Sequence, residues 1–217
     1  MGSVFILIVA GLSAWIIAAS PPLPPLPQSS DTAISVFASI EETSEPISPI
    51  PNSVPSDSRK VSLGGRLFAD PRLSGNNRVA CATCHPLSKG GTDGLKRSIG
   101  IRAQTGDINA PTVFNSGFNF KQFWNGRAAS LEDQIDGSLQ HVKEMGSQWP
   151  ATIAKLRLDA YYRSEFKKIY GDGIQAASVK DAIATFERSL ITPNSRFDRY
   201  LRGDRGALTR DESDGYG

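Results

Sequence analysis

Apolar residues recur at helical spacing from about residue 58 onward, and nowhere does an alternating run reach the length a sheet would need. Leu63 and Leu67, with Phe68 beside them, mark a first stripe. Asp70-Pro71 predicts its end, because proline disfavours helix at the residue before it. Leu131 and Ile135 predict a short helix, and Ile153, Leu156 and Leu158 with Phe166 and Ile169 predict one or two more. The clearest helix runs from Val179 to Leu190, with Val179, Ile183, Phe186 and Leu190 on one face. Between Asn76 and Phe120 periodicity fades and glycines are frequent. A loop that long inside a compact domain implies something for it to wrap. The expected fold is therefore mainly α, with long loops.

Two segments fall outside that pattern. Val4 to Ala19 is an uncharged apolar run of 16 residues, slightly short of the ~20 that span a bilayer comfortably. With the small residues Ala18, Ala19 and Ser20 behind it, residues 1–20 predict a signal peptide or membrane anchor, although the usual basic leader is missing. Residues 21–57 open on PPLPPLP, which favours extended polyproline II, and continue polar, acidic and proline-punctuated, as a disordered tether does. The ordered domain is expected over 58–208. At 209–217, Thr209 and Glu212 have capping-box spacing, yet so few residues follow that the helix is not expected to hold. The chain reads as cut at the start of a further domain.

Composition narrows the classes. The hydrophobic share is 39% and the net charge +2, with Lys and Arg scattered and no aromatic residues interleaved among them, which argues against a nucleic-acid partner. The only two cysteines, Cys81 and Cys84, fall inside one short motif, so no disulfide framework is available.

That motif, Cys81-Ala82-Thr83-Cys84-His85, is CxxCH. Two thiols at this spacing add across the vinyl groups of haem, and the adjacent imidazole reaches the iron from the same side. A zinc site would need four ligands, and the only other histidine is His141. A thioredoxin-like pair would need a βαβ setting, which is absent. One haem c, held by Cys81, Cys84 and His85, is the reading that remains. Phe114, Phe118, Phe120, Phe123 and Trp124 form an aromatic cluster suited to line it. The sixth iron position then decides the function. His141 or Met145 there would make an electron carrier, whereas an open iron facing Glu144 as acid/base would make a peroxide-cleaving enzyme. Composition and spacing leave these two close to even.

The pieces LGGRLFADPRLS (63–74), VACATCHPLSKGGTDGLKRSIG (79–100), NAPTVFN (109–115), FWNGRAASLEDQ (123–134) and Glu144-Met145 together resemble the bacterial di-haem cytochrome c peroxidases, a family that includes the enzyme maturing tryptophan tryptophylquinone. The likeness covers about Val61 to Asp204 and implies a cytochrome c-like, peroxide-reducing N-terminal haem domain. A second haem would lie in the complete protein. By position it implies His85 as proximal ligand, Glu144 as proton shuttle, Gln134 as its hydrogen-bonding neighbour at the peroxide, and Trp124 as the tryptophan between the haems. Asn109 would contribute to an inter-domain calcium site. It also implies hydrogen peroxide as substrate, a small cytochrome c or copper protein as donor, and a periplasmic setting, soluble or tethered to the inner membrane; a homodimer stays open. A related oxidase or cofactor-maturation activity stays open as well. Two positions depart from the family pattern. Ile101 stands where many members carry a histidine that ligates the resting haem, and Ile108 stands where an arginine usually precedes the NAPT-like motif.

Overall fold

The computed structural model describes residues 47–217. Among them helices α1 to α8 follow in order: Ser58–Phe68, Cys81–Cys84, Leu131–Gln140, Trp149–Arg157, Ala160–Tyr170, Ala176–Ser189, Arg196–Leu201 and Arg210–Tyr216. Short 3-10 turns punctuate the loops between them. Two isolated bridges, Ile99 with Thr105 and Gln122 with Ala128, are the only β pairing recorded for the described residues. No described helix is long and apolar enough to cross a membrane. The apolar run Val4–Ala19 lies outside the described residues.

α1 starts where Asp57 accepts the backbone N–H of Arg59 at 2.9 Å, which satisfies one of the donors a helix start leaves open. Its stripe of Leu63, Leu67 and Phe68 packs on Val179, Ala182 and Ile183 of α6 in one continuous core. The two helices approach closely because Gly64 carries no side chain: a Cβ there would sit 1.9 Å from the carbonyl oxygen of Ala182. α4, with Pro150 in its first turn, and α5 supply Leu156, Tyr162 and Phe166, all fully buried. The Tyr162 hydroxyl donates to Asp70 Oδ2 at 2.7 Å, and Arg72 bridges Asp70 and Asp159, so the turn after α1 is locked to the start of α5.

The periodic stretches become helices close to their expected bounds, with three corrections. Leu158 lies just past α4 and is 83% exposed, because two residues beyond Leu156 it points away from the core. The aromatic cluster does not close around one site: Phe120 is 92% exposed and Phe118 half exposed. The last helix does hold. Thr209 and Glu212 form both capping-box bonds, Arg196 pairs with Glu212, and the Tyr216 ring meets Phe197 and Tyr200 edge-on. Tertiary contacts supply what seven residues of helix lack on their own.

Candidate functional site

The loops between α1 and α3, with the face of α3, the segment after it and two positions of α6, enclose a cavity of about 570 Å³. This size is typical of cofactor pockets. Cys81, Cys84 and His85 line it, as do Asn109, Trp124, Gln134, His141, Glu144 and Met145, residues far apart in sequence. Every site residue named from the sequence is therefore on the wall of one cavity. Of the aromatic cluster only Phe123 and Trp124 reach it. Ile108 lies on its rim, half exposed. Ile101 is buried but packs its side chain towards Gly75 and Gly146 instead of lining the space.

The CxxCH segment folds as a single turn, with Ala80 N–H donating to Thr83 Oγ1 at 2.9 Å. Both thiols are free. Burial first, and the neighbouring Glu187 second, push the Cys81 thiol up to about 12, and burial likewise raises Cys84. Burial thus favours the neutral thiol at both positions. Burial also lowers the His85 value, which favours the neutral imidazole that ligates iron. His85 Nδ1 lies 3.1 Å from the Gly91 carbonyl oxygen, so Nδ1–H donates there and Nε2 keeps its lone pair for a metal.

Three buried side-chain atoms of the described residues have no hydrogen-bond partner: Ser98 Oγ, Ser116 Oγ and Glu187 Oε2. All three belong to residues lining this cavity. Buried polar groups left unpaired in a folded protein point to a missing partner. Together with the two thiols, the oriented imidazole and walls of Leu73, Val79, Val113, Leu131, Ile135 and Ile183, they fit a haem.

On the same cavity, α3 and the segment after it bring further polar groups. Ser130 caps α3 by accepting Asp133 N–H at 3.1 Å, and Gln134 Nε2 donates to Ser138 Oγ one turn on at 2.8 Å. His141 ends the helix. Its carbonyl accepts the N–H groups of Glu144 and Gly146, which curls the chain back into the cavity. That curl is pinned from outside, since Ile101 N–H donates to the Glu144 carbonyl and Gly75 N–H to the Met145 carbonyl, both at 2.8 Å. Gly100 permits the approach: a Cβ there would stand 2.0 Å from the Lys143 carbonyl oxygen. His141 Nδ1 lies 3.5 Å from Glu144 Oε1.

Comparison with known proteins decides the class. A family profile described as di-haem cytochrome c peroxidase matches residues 58–206. The chain belongs to the di-haem cytochrome c peroxidase family. It is 50% identical over 177 residues to the cytochrome c peroxidase Ccp of Escherichia coli, covering 81% of this chain and 38% of that protein. It is 43% identical over 185 residues to the cytochrome c551 peroxidase of Nitrosomonas europaea, covering 85% and 55%. A solved structure of a MauG-like protein associated with microbial copper homeostasis superposes with a TM-score of 0.67 at 33% identity, over 78% of this chain and 51% of that one. The chain thus spans about half, or less, of the length of these relatives. Membership in this family implies haem c, in agreement with the cavity.

Sequence reading missed Glu187, Ser98, Ser116 and Ser138 as parts of the wall. For Glu187 a signal existed. It continues the Val179, Ile183 row by four residues, so it is a carboxylate placed on the buried face of α6. The pairing of His141 with Glu144 had no such signal, because it depends on the backbone curl.

Proposed function

We propose that this chain carries the peroxide-reducing haem of an enzyme that converts hydrogen peroxide to water with electrons from a small cytochrome c or copper protein. The observation that carries the reading is the convergence of Glu144 and Gln134 with CxxCH on one cavity, in a chain of this family. Bound haem, attached through Cys81 and Cys84 and ligated by His85, would supply the iron that holds peroxide and the electrons that split it.

The chain's own residues then have separate tasks. Glu144 accepts a proton from the near oxygen of peroxide and delivers it to the far oxygen, which leaves as water; two electrons and two protons in all give two waters. Gln134, whose Nε2 is engaged by Ser138, offers its carbonyl oxygen to a peroxide O–H. Trp124 is 64% exposed on the cavity rim and donates Nε1–H to the Asn109 carbonyl at 3.3 Å. It is the group through which electrons from a second haem would enter. Asn109, bonded to Trp124, would join a calcium site there.

The reading places the enzyme in the periplasm, with residues 1–20 as signal or anchor and 21–57 as tether. An electron carrier is the second reading, since His141 and Met145 also line the cavity. The position of His141 against Glu144 favours the enzyme. The test is stopped-flow peroxide reduction by the haem-loaded protein with a reduced donor cytochrome. Glu144→Gln should keep its haem and lose about 10²–10⁴-fold in rate. Wild-type turnover in that variant would overturn the reading.

A further inference from the structure

Glu187 has no task in the peroxide chemistry above, yet its setting is unusual. It is 5% exposed, on the α6 face that forms the cavity wall, and one carboxyl oxygen has no hydrogen-bond partner. The adjacent cation, Arg188, is committed elsewhere: its two terminal nitrogens grip both oxygens of Glu132 on α3, at 2.8 and 2.9 Å. Glu132 itself adds a like charge facing Glu187. From α2, the side chain near enough to feel Glu187 is Cys81, which ends as a neutral thioether once haem is attached.

Among the described residues, the cations of α1, which packs on α6, are engaged elsewhere. On α1, Arg59 pairs with Asp57, Lys60 with Asp181, and Arg66 lies over the Tyr161 ring. The turn Ser116–Phe118 carries no charged residue. Arg188, held by Glu132, offsets the cost of burying this carboxylate only in part, so the net charge of whatever fills the cavity bears on whether it ionises.

We propose that Glu187 is a proton site coupled to the haem, taking a proton from solvent when the iron gains an electron and releasing it when the iron is reoxidised. The physical basis is Coulombic. Ferric haem carries one more positive charge than ferrous haem and stabilises a nearby carboxylate; reduction removes that charge, and the buried carboxylate then binds a proton. One electron from the donor and one proton from solvent enter together, and the carboxyl O–H is the bond formed. Burial already pushes the Glu187 value up to about 8 in the protein alone, so the site titrates within reach of physiological pH. The proposal rests on the haem assignment and not on the peroxidase reading.

The test is the midpoint potential of the haem-loaded chain, measured electrochemically at pH values on both sides of about 8. Wild type should show a potential that falls as pH rises through the titration, by at most tenfold in the reduction equilibrium per pH unit, or about 59 mV for one electron. Glu187→Gln should flatten this slope, and Glu187→Asp should retain one. Glu132→Gln removes the like charge and frees Arg188, so the sloping region should move to lower pH. In reduced-minus-oxidised infrared spectra, a carboxylic C=O band should be present in wild type and absent in Glu187→Gln. A Glu187→Gln protein with the wild-type slope, or a flat wild type, overturns the proposal and leaves the haem assignment standing. A chain without covalent haem on a denaturing gel overturns both.

Discussion

The two walls of the cavity are built on different principles. The helical wall is the face of α6 that carries Ile183 and Glu187, backed by the packed core of α1, α4 and α5, and Glu187 is the carboxylate set into it. The other wall, residues 98–145, carries Gln134 on α3, and it carries Trp124 and Glu144 on loop backbone, that of Glu144 held by single hydrogen bonds and a glycine contact. The difference shows how the labour divides: burial of area fixes one side, and local backbone geometry aims reactive groups from the other. Damage to the first should therefore cost stability, and damage to the second should cost chemistry.

The sharpest break in that contrast is at the anchor between the walls. His85→Ala, or loss of Cys81 and Cys84 together, should abolish stable haem incorporation, read as haem stain on a denaturing gel and as loss of the haem absorbance. Next in size is a matched pair. Phe166→Ala, in the fully buried core, should cost about 3–5 kcal/mol in denaturant unfolding. Glu144→Gln, on a partly exposed side chain, should leave stability within about 0.5 kcal/mol of wild type while removing turnover.

The two close-approach glycines sharpen the comparison further. Gly64→Ala drives a methyl into the α6 backbone and should cost about 1–3 kcal/mol or more of stability. Gly100→Ala drives one into the Lys143 and Glu144 backbone, so its main effect should be on peroxide turnover, with a smaller loss in melting temperature. Equal effects of the two on stability would dissolve the distinction.

The smallest effect concerns acid stability. Burial opposes the Asp70 charge, but hydrogen bonds from Arg72 and Tyr162 outweigh it and hold the carboxyl below its usual range. A depressed folded value means that the stabilisation is complete above the unfolded carboxylate value and is lost as pH falls through the folded one. Tyr162→Phe should cost about 1.5 kcal/mol at neutral pH and begin acid unfolding at higher pH, followed by circular dichroism.

Much of the helical wall was legible in the sequence because a stripe at helical spacing is a local record of burial. The Val179, Ile183, Phe186 row and the Leu63, Leu67 pair read directly as the α6 and α1 faces. CxxCH was equally legible, since its chemistry needs only five consecutive residues. The other wall was legible through family resemblance alone: nothing local says that Gln134 and Glu144 share a cavity with Cys81. Composition misled where exposure depends on tertiary path. Phe118 and Phe120 carry the same apolar label as Phe123, yet they face outward. The last helix was underestimated for the converse reason, because the rings of Phe197 and Tyr200 hold it from outside its own span.

The central claim, an accessible iron position facing Glu144, is tested most directly by electron paramagnetic resonance of the purified ferric haem-loaded chain. A dominant high-spin signal is expected, because Ile101 cannot ligate iron and packs away from the cavity. A wholly low-spin signal that becomes high-spin on replacing His141 or Met145 would contradict it and make the chain an electron carrier.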